Sequence, residues 1–229
     1  MQQLPLGLNW RHDATLDNFI AADNPTLIPQ LRSLIHGELP SKGVFLYGSS
    51  GSGRSHLLHA IAQYADDKKQ RVAVVSLNTP EIPVAVLEQL ALCDLICLDD
   101  VDAVAQKNDW AVALFELFNA VTDRGGRLVV SSTLPPMTMS CALPDLRSRL
   151  QSLVVSRIHP LEDESRQQFL ILRGEQKGLR VPVDVAQFIL QRQARDIPSL
   201  ITLIDQLDKA SLQEQRRLTV PFVKQVLGL

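Results

Sequence analysis

The chain reads as an α/β fold: a parallel five-stranded sheet wrapped by helices, followed by a small all-helical part. Three observations predict it. Five short apolar, β-branched runs recur along the first two thirds of the 229 residues, separated by segments in which apolar residues return at helical spacing. The first run leads into a glycine-rich loop spaced like a phosphate cradle. After His159-Pro160 the strand signals stop and only helical patterns follow.

In chain order, the predicted strands are GVFLY (43–47), RVAVVSL (71–77), DLICLD (94–99), RLVVSS (127–132) and LVVSRI (153–158). Between them, a helix over 54–66 starts at the glycine loop. Another over 110–123, WAVALFELFNAVTD, is apolar on one face and ends at Gly125-Gly126. Helices over 163–177, 183–194, 198–214 and 221–227 follow, punctuated by Gly178, Pro182, Pro198 and Pro221. The expected division is a flexible terminal peptide (1–10), a nucleotide-binding α/β domain (11–160) and a helical domain (161–229).

Composition excludes several classes. With 45% apolar and 21% charged residues the chain has the balance of an ordinary folded protein. A formal charge of −2 gives no global basic field, so any link to nucleic acid is local or runs through a partner. Cys93, Cys97 and Cys141 are too few for a disulfide framework and read as small apolar side chains. No apolar stretch approaches the ~20 residues of a membrane span, and the amino terminus lacks a signal-peptide layout. A cytoplasmic protein without a membrane partner is expected.

The loop GSSGSGRS carries the chemistry. Gly48, Ser49, Ser50, Gly51, Ser52, Gly53, Arg54 and Ser55 fit G-x-x-x-x-G-[K]-[ST], after a strand and at the start of a helix. Its glycines let the backbone curl until successive N–H groups converge on phosphate oxygens, and the helix amino terminus adds partial positive charge. Arg54 stands where the pattern asks for lysine. A planar fork is bulkier than an ammonium and cannot sit as a point charge between β- and γ-phosphates, so the loop suits a diphosphate better than γ-phosphate chemistry.

An acidic pair closes the third predicted strand. Asp99 is placed to hold Mg²⁺, with the Ser55 hydroxyl as the other protein donor, and Asp100 to orient an attacking water. Two aspartates after an apolar run are by themselves more often a strand-end turn; fifty residues beyond a phosphate loop the nucleotide reading prevails. His56 and His59 lack an acidic or cysteine partner for a metal site and read as packing. Trp110 reads as core, and Arg216-Arg217 as a solvated basic step.

TLDNFIAADNPTL (15–27), LYGSSGSGRSHLLHAIA (46–62), LICLDDVDAV (95–104), LPDLRSRL (143–150) and the tail LTVPFVKQVLGL together resemble the AAA+ region of the bacterial DnaA family, and within it the short Hda-type regulators. The resemblance spans nearly the whole chain. It implies an AAA+ P-loop domain followed by a helical lid. By themselves the residues make Arg149 an ordinary surface arginine beside Arg147; the resemblance implies instead that it is an arginine finger, which reaches the γ-phosphate held by a neighbouring molecule and in such sites is worth ~10³–10⁵ in rate. The family's polar sensor falls on Thr133 and its lid arginine on Pro198, with Arg195 three residues away. Arg54, Thr133 and Pro198 thus weaken the machinery for hydrolysis in cis, and poor ATP turnover by the protein alone is expected. The initiator's helix-turn-helix domain has no counterpart here, which argues against a sequence-specific DNA binder.

QQLPLGL resembles the family's sliding-clamp-binding peptide through Gln3, Leu4, Leu6 and Leu8, with Gly7 where a proline is usual. Pro5 keeps Leu4 extended, so the leucines can enter a partner's apolar groove; the other reading is an end strapped across its own domain. The implied partners are DnaA and the sliding clamp, the beta subunit of DNA polymerase III, with DNA reached through the clamp and a homodimer left open. The implied cofactor is ADP, or ATP, with Mg²⁺. The implied role is negative regulation of replication initiation: presenting Arg149 to ATP on DnaA and leaving the initiator in its ADP form. The competing readings are a stand-alone ATPase such as a helicase loader, which needs the cis machinery intact, and a DNA-binding structural factor, which the acidic balance disfavours.

Overall fold

The computed structural model describes residues 14–21, 24–79, 82–192 and 196–228. Gln3, Leu4, Leu6, Leu8 and Arg195 lie outside the described residues. The chain divides after His159 into two compact units.

The first unit alternates helix and strand: α1 (Leu27–His36), β1 (Gly43–Tyr47), α2 (Arg54–Asp67), β2 (Val72–Ser76), α3 (Val86–Leu90), β3 (Leu95–Asp99), α4 (Asn108–Asp123), β4 (Arg127–Ser132), α5 (Pro144–Gln151) and β5 (Val154–Arg157). A 3₁₀ turn, Val101–Ala103, follows β3. The strands pair in the order β2-β3-β4-β1-β5, all parallel. Parallel strands covered by helices on both faces read as continuous apolar runs, which is why each was visible in the sequence.

Side chains alternate across the sheet and split the core in two. Phe45, Ile96, Leu98, Leu128 and Val130 pack with α3, α4 and α5 on one face. Val44, Leu46, Leu95, Cys97 and Val129 pack with α1 and α2 on the other. Trp110 is buried in the first of these layers, as expected. Cys97 is fully buried, and burial pushes its thiol far above the ordinary range, so it acts as an inert apolar side chain. The helix over α4 starts two residues before the predicted start, because Asn108 and Asp109 carry no apolar signal.

The second unit is built from α6 (Asp163–Gln176), α7 (Val183–Arg192), α8 (Ile197–Glu214) and α9 (Val220–Leu227) around Leu170, Ile189, Leu200, Ile204, Leu207 and Phe222. Two of its helices, α8 and α9, start on capping residues that the sequence supplies. Asp196 accepts from the Ser199 N–H at 2.9 Å and Thr219 from the Phe222 N–H at 3.4 Å, each with a proline in the first turn behind it. No helix among the described residues is long and apolar enough to cross a membrane.

Candidate nucleotide site

The site is built where β1 and β3 end. β1 runs into the loop at Gly48, whose N–H donates to Ser132 O at 3.2 Å. A Cβ at Gly48 would lie 2.3 Å from Ile158 O, so the loop can leave the sheet here only on a glycine. The loop ends at Gly53, which has φ +99° and passes the chain into α2 at Arg54. No side chain caps the amino terminus of α2, leaving its first-turn N–H groups facing the loop. Ser49, Ser50, Gly51 and Ser55 are exposed, whereas Ser52 is buried with a hydroxyl that finds no hydrogen-bond partner. A close-fitting glycine turn, open N–H groups and an orphaned hydroxyl fit a phosphate-bearing ligand.

Arg54 does not extend to solvent. It is 8% exposed, and its Nη1 lies 3.1 Å from Asp100 Oδ1. The two atoms stand at ion-pair distance without the alignment of a hydrogen bond. Asp100 reaches this position through left-handed backbone, φ 56° and ψ 52°, held by its N–H donating to Ser131 Oγ at 2.9 Å. Burial first, then the neighbouring Asp99 carboxylate, pushes the Asp100 carboxyl above the ordinary carboxylate range; Arg54 pulls it down, and Asp102 adds a smaller push upward.

The other acids are engaged as well. Asp99, buried at the end of β3, accepts from the Ser131 hydroxyl, and Asp102 accepts from both the hydroxyl and the N–H of Thr133. Thr133, where the resemblance puts the sensor, is therefore fixed to the acidic segment. Sequence reasoning did not single out Asp102 or Ser131. The signals were a third acid in LDDVD and a polar end to RLVVSS, and they meet only because β3 and β4 are adjacent and parallel.

The donors expected for Mg²⁺, the Ser55 hydroxyl and the Asp99 carboxylate, are hard oxygens of the kind that ion takes. Among the described residues no group of three or more His, Cys, Asp or Glu side chains could hold a metal ion, so a metal here would need phosphate oxygens to complete its shell. His56 is occupied, its Nε2 lying 2.8 Å from Asn18 Oδ1 and its ring 5.9 Å from that of Phe19. Arg149 is exposed on α5, its guanidinium 5.9 Å from both the Phe115 and Phe118 rings of α4. No carboxylate among the described residues forms an ion pair with it. Pro198 opens α8 in the second unit and offers no cation.

The strand order, the loop after β1 and the acidic end of β3 define the AAA+ class of P-loop proteins, followed by a helical lid domain. The chain belongs to the bacterial DnaA ATPase-domain family, whose model matches residues 11–156, and residues 163–227 match the lid domain of Hda. It is 37% identical over 230 residues to an uncharacterized protein of Haemophilus influenzae, covering 100% of this chain and 99% of the relative. Domain III of the Thermotoga maritima replication initiation protein DnaA superposes with a TM-score of 0.80 at 21% identity, covering 96% of this chain and 97% of that one. AMPPCP-bound DnaA from Aquifex aeolicus superposes at 0.73 and 21% identity, with 90% and 68% covered. The Thermotoga maritima RuvB branch migration motor gives 0.70 at 16% identity, with 94% and 71% covered. At these identities the likeness to the solved structures carries the fold.

Proposed function

We propose that this protein is a negative regulator of replication initiation that promotes hydrolysis of ATP bound to DnaA and is tethered to the DNA polymerase sliding clamp. The observation that carries the reading is Arg149. A guanidinium buried in its own domain would be structural; this one is exposed at a helix surface, seated on two rings and without a carboxylate partner among the described residues. That suits a cation offered to a phosphate on another molecule. The initiator is the partner this reading names because chain and partner then share one domain type, and AAA+ domains of like shape can meet in trans.

Its own site holds a nucleotide rather than consuming it. The Gly48–Gly53 turn and the uncapped start of α2 would receive the α- and β-phosphates of ADP, with Ser55 and Asp99 as the protein donors to Mg²⁺. When bound, that ion neutralises phosphate charge. Before a ligand binds, Arg54 stands at ion-pair distance from Asp100 and Thr133 bonds to Asp102, which supports weak γ-phosphate chemistry in cis. Gln3, Leu4, Leu6 and Leu8 supply the clamp-binding peptide, and DNA is met through the clamp, in the cytoplasm where initiator and clamp work. The purified protein alone is expected to turn over ATP far below the median enzyme rate of about 10 s⁻¹, while ATP on DnaA is hydrolysed faster once this protein and DNA-loaded clamp are added. Brisk turnover by the protein alone would favour a stand-alone ATPase.

A further inference from the structure

We infer that Asp100 is the resident counter-ion of Arg54, competing with a nucleotide's phosphate for that guanidinium, and not a residue that orients water. The inference rests on the reading that the loop binds a nucleotide. The Arg54 guanidinium is more than nine-tenths buried, so it requires an anion beside it whether or not a ligand is present. The charged and polar groups facing Asp100 are Arg54 from α2, Asp99 from β3, Asp102 from the 3₁₀ turn and the Ser131 side chain from β4. Asp99 is held by Ser131 and Asp102 by Thr133, which leaves Asp100 as the carboxylate turned onto Arg54.

The pair is also a poor one. Arg54 Nη1 and Asp100 Oδ1 are both buried at ion-pair distance, yet neither has an aligned hydrogen bond. A phosphate can take a guanidinium through two parallel N–H···O bonds and would satisfy Arg54 better. The Asp100 carboxylate, lacking that alignment, holds Arg54 only loosely. Asp100 thus sets the threshold that a phosphate must overcome to reach Arg54.

The test is an equilibrium titration with fluorescently labelled ADP of the unmodified protein, Asp100→Asn, Arg54→Gln and the double variant. Asp100→Asn is expected to bind ADP about tenfold more tightly, a factor corresponding to 1.4 kcal/mol. In the Arg54→Gln background the same substitution should bring no such gain, because the competition needs the guanidinium. A gain that persists without Arg54 would be general charge relief and overturns the inference, as does ADP affinity equal to or weaker than that of the unmodified protein. If neither the unmodified protein nor Asp100→Asn binds ADP, the nucleotide reading itself falls and the inference with it. The unmodified protein gives an independent measurement, the Arg54 side-chain N–H signals followed by NMR at fixed pH. They should move with ADP, as the guanidinium turns from Asp100 to phosphate, and stay put with adenosine, which has no phosphate. Unmoved signals with ADP, or an equal shift with adenosine, overturn the inference.

Discussion

Two aspartates near the sheet show how far a carboxylate's surroundings decide its part. Asp94, just before β3, accepts from the Arg71 N–H at 2.8 Å and from the Arg71 side chain at 2.8 and 3.2 Å, and these bonds hold its carboxyl below the ordinary range. A depressed folded value contributes stability that is present above the unfolded value of about 3.9 and is lost as pH falls through the folded one. Both side chains are well exposed, at 63% and 45%, so solvent screens the pair and its contribution is small. Asp94→Asn should therefore lower the thermal midpoint slightly at neutral pH. The gap to the unmodified protein should close in acid and narrow in salt; a gap that persists unchanged into acid would contradict this account. Asp100 shows the opposite shift for the opposite reason, because it is buried beside another acid. The sequence placed both aspartates at the ends of β3 but not their partners. Arg54 meets Asp100 only because the backbone turns left-handed there, and no residue pattern announces that turn for an aspartate.

At the scale of elements, what was legible follows burial. The inner strands β1, β3 and β4 are buried on both faces and stand out; the edge strands β2 and β5, partly open, are each one residue shorter at either end than expected. The sequence did not single out α1 as a helix because Pro29 interrupts its pattern, although a proline is tolerated in a first turn. With five residues, α3 is too short to show periodicity. PDLRSRLQ buries only Leu146 and Leu150, so α5 was recognised as a motif rather than as an amphipathic helix. In the second unit, α6 carries Gly174 in its interior against Val181. Replacing it with alanine would gain about 1 kcal/mol of helix propensity. The new Cβ, however, would lie 2.4 Å from Val181 Cγ2 and 2.6 Å from Leu179 O, and the backbone oxygen cannot rotate away. Overpacking of that kind costs about 1–3 kcal/mol, so Gly174→Ala should lower the thermal midpoint. A higher midpoint would show that the contact relaxes freely.

At the scale of the whole molecule, the proposed function divides among three parts: a terminal peptide for tethering, a loop for holding a nucleotide, and Arg149 for acting on a partner's nucleotide. The tether can be tested without disturbing the fold. Alanine at Gln3, Leu4 and Leu6 should abolish clamp binding in a calorimetric titration and leave the thermal midpoint unchanged, because a terminal peptide contributes little to a core; unchanged clamp affinity would assign the peptide to its own domain. The role proposed for Arg149 is read from the rate of ATP hydrolysis on DnaA in the presence of DNA-loaded clamp and Arg149→Ala. Arg149 is exposed, so the variant should fold, bind clamp and bind ADP as the unmodified protein does. The account predicts that it fails to accelerate the initiator's hydrolysis, because the charge developing on the transferred phosphoryl group loses its stabiliser. Acceleration by Arg149→Ala equal to that by the unmodified protein would contradict the account and move the search to Arg147 or to DnaA itself.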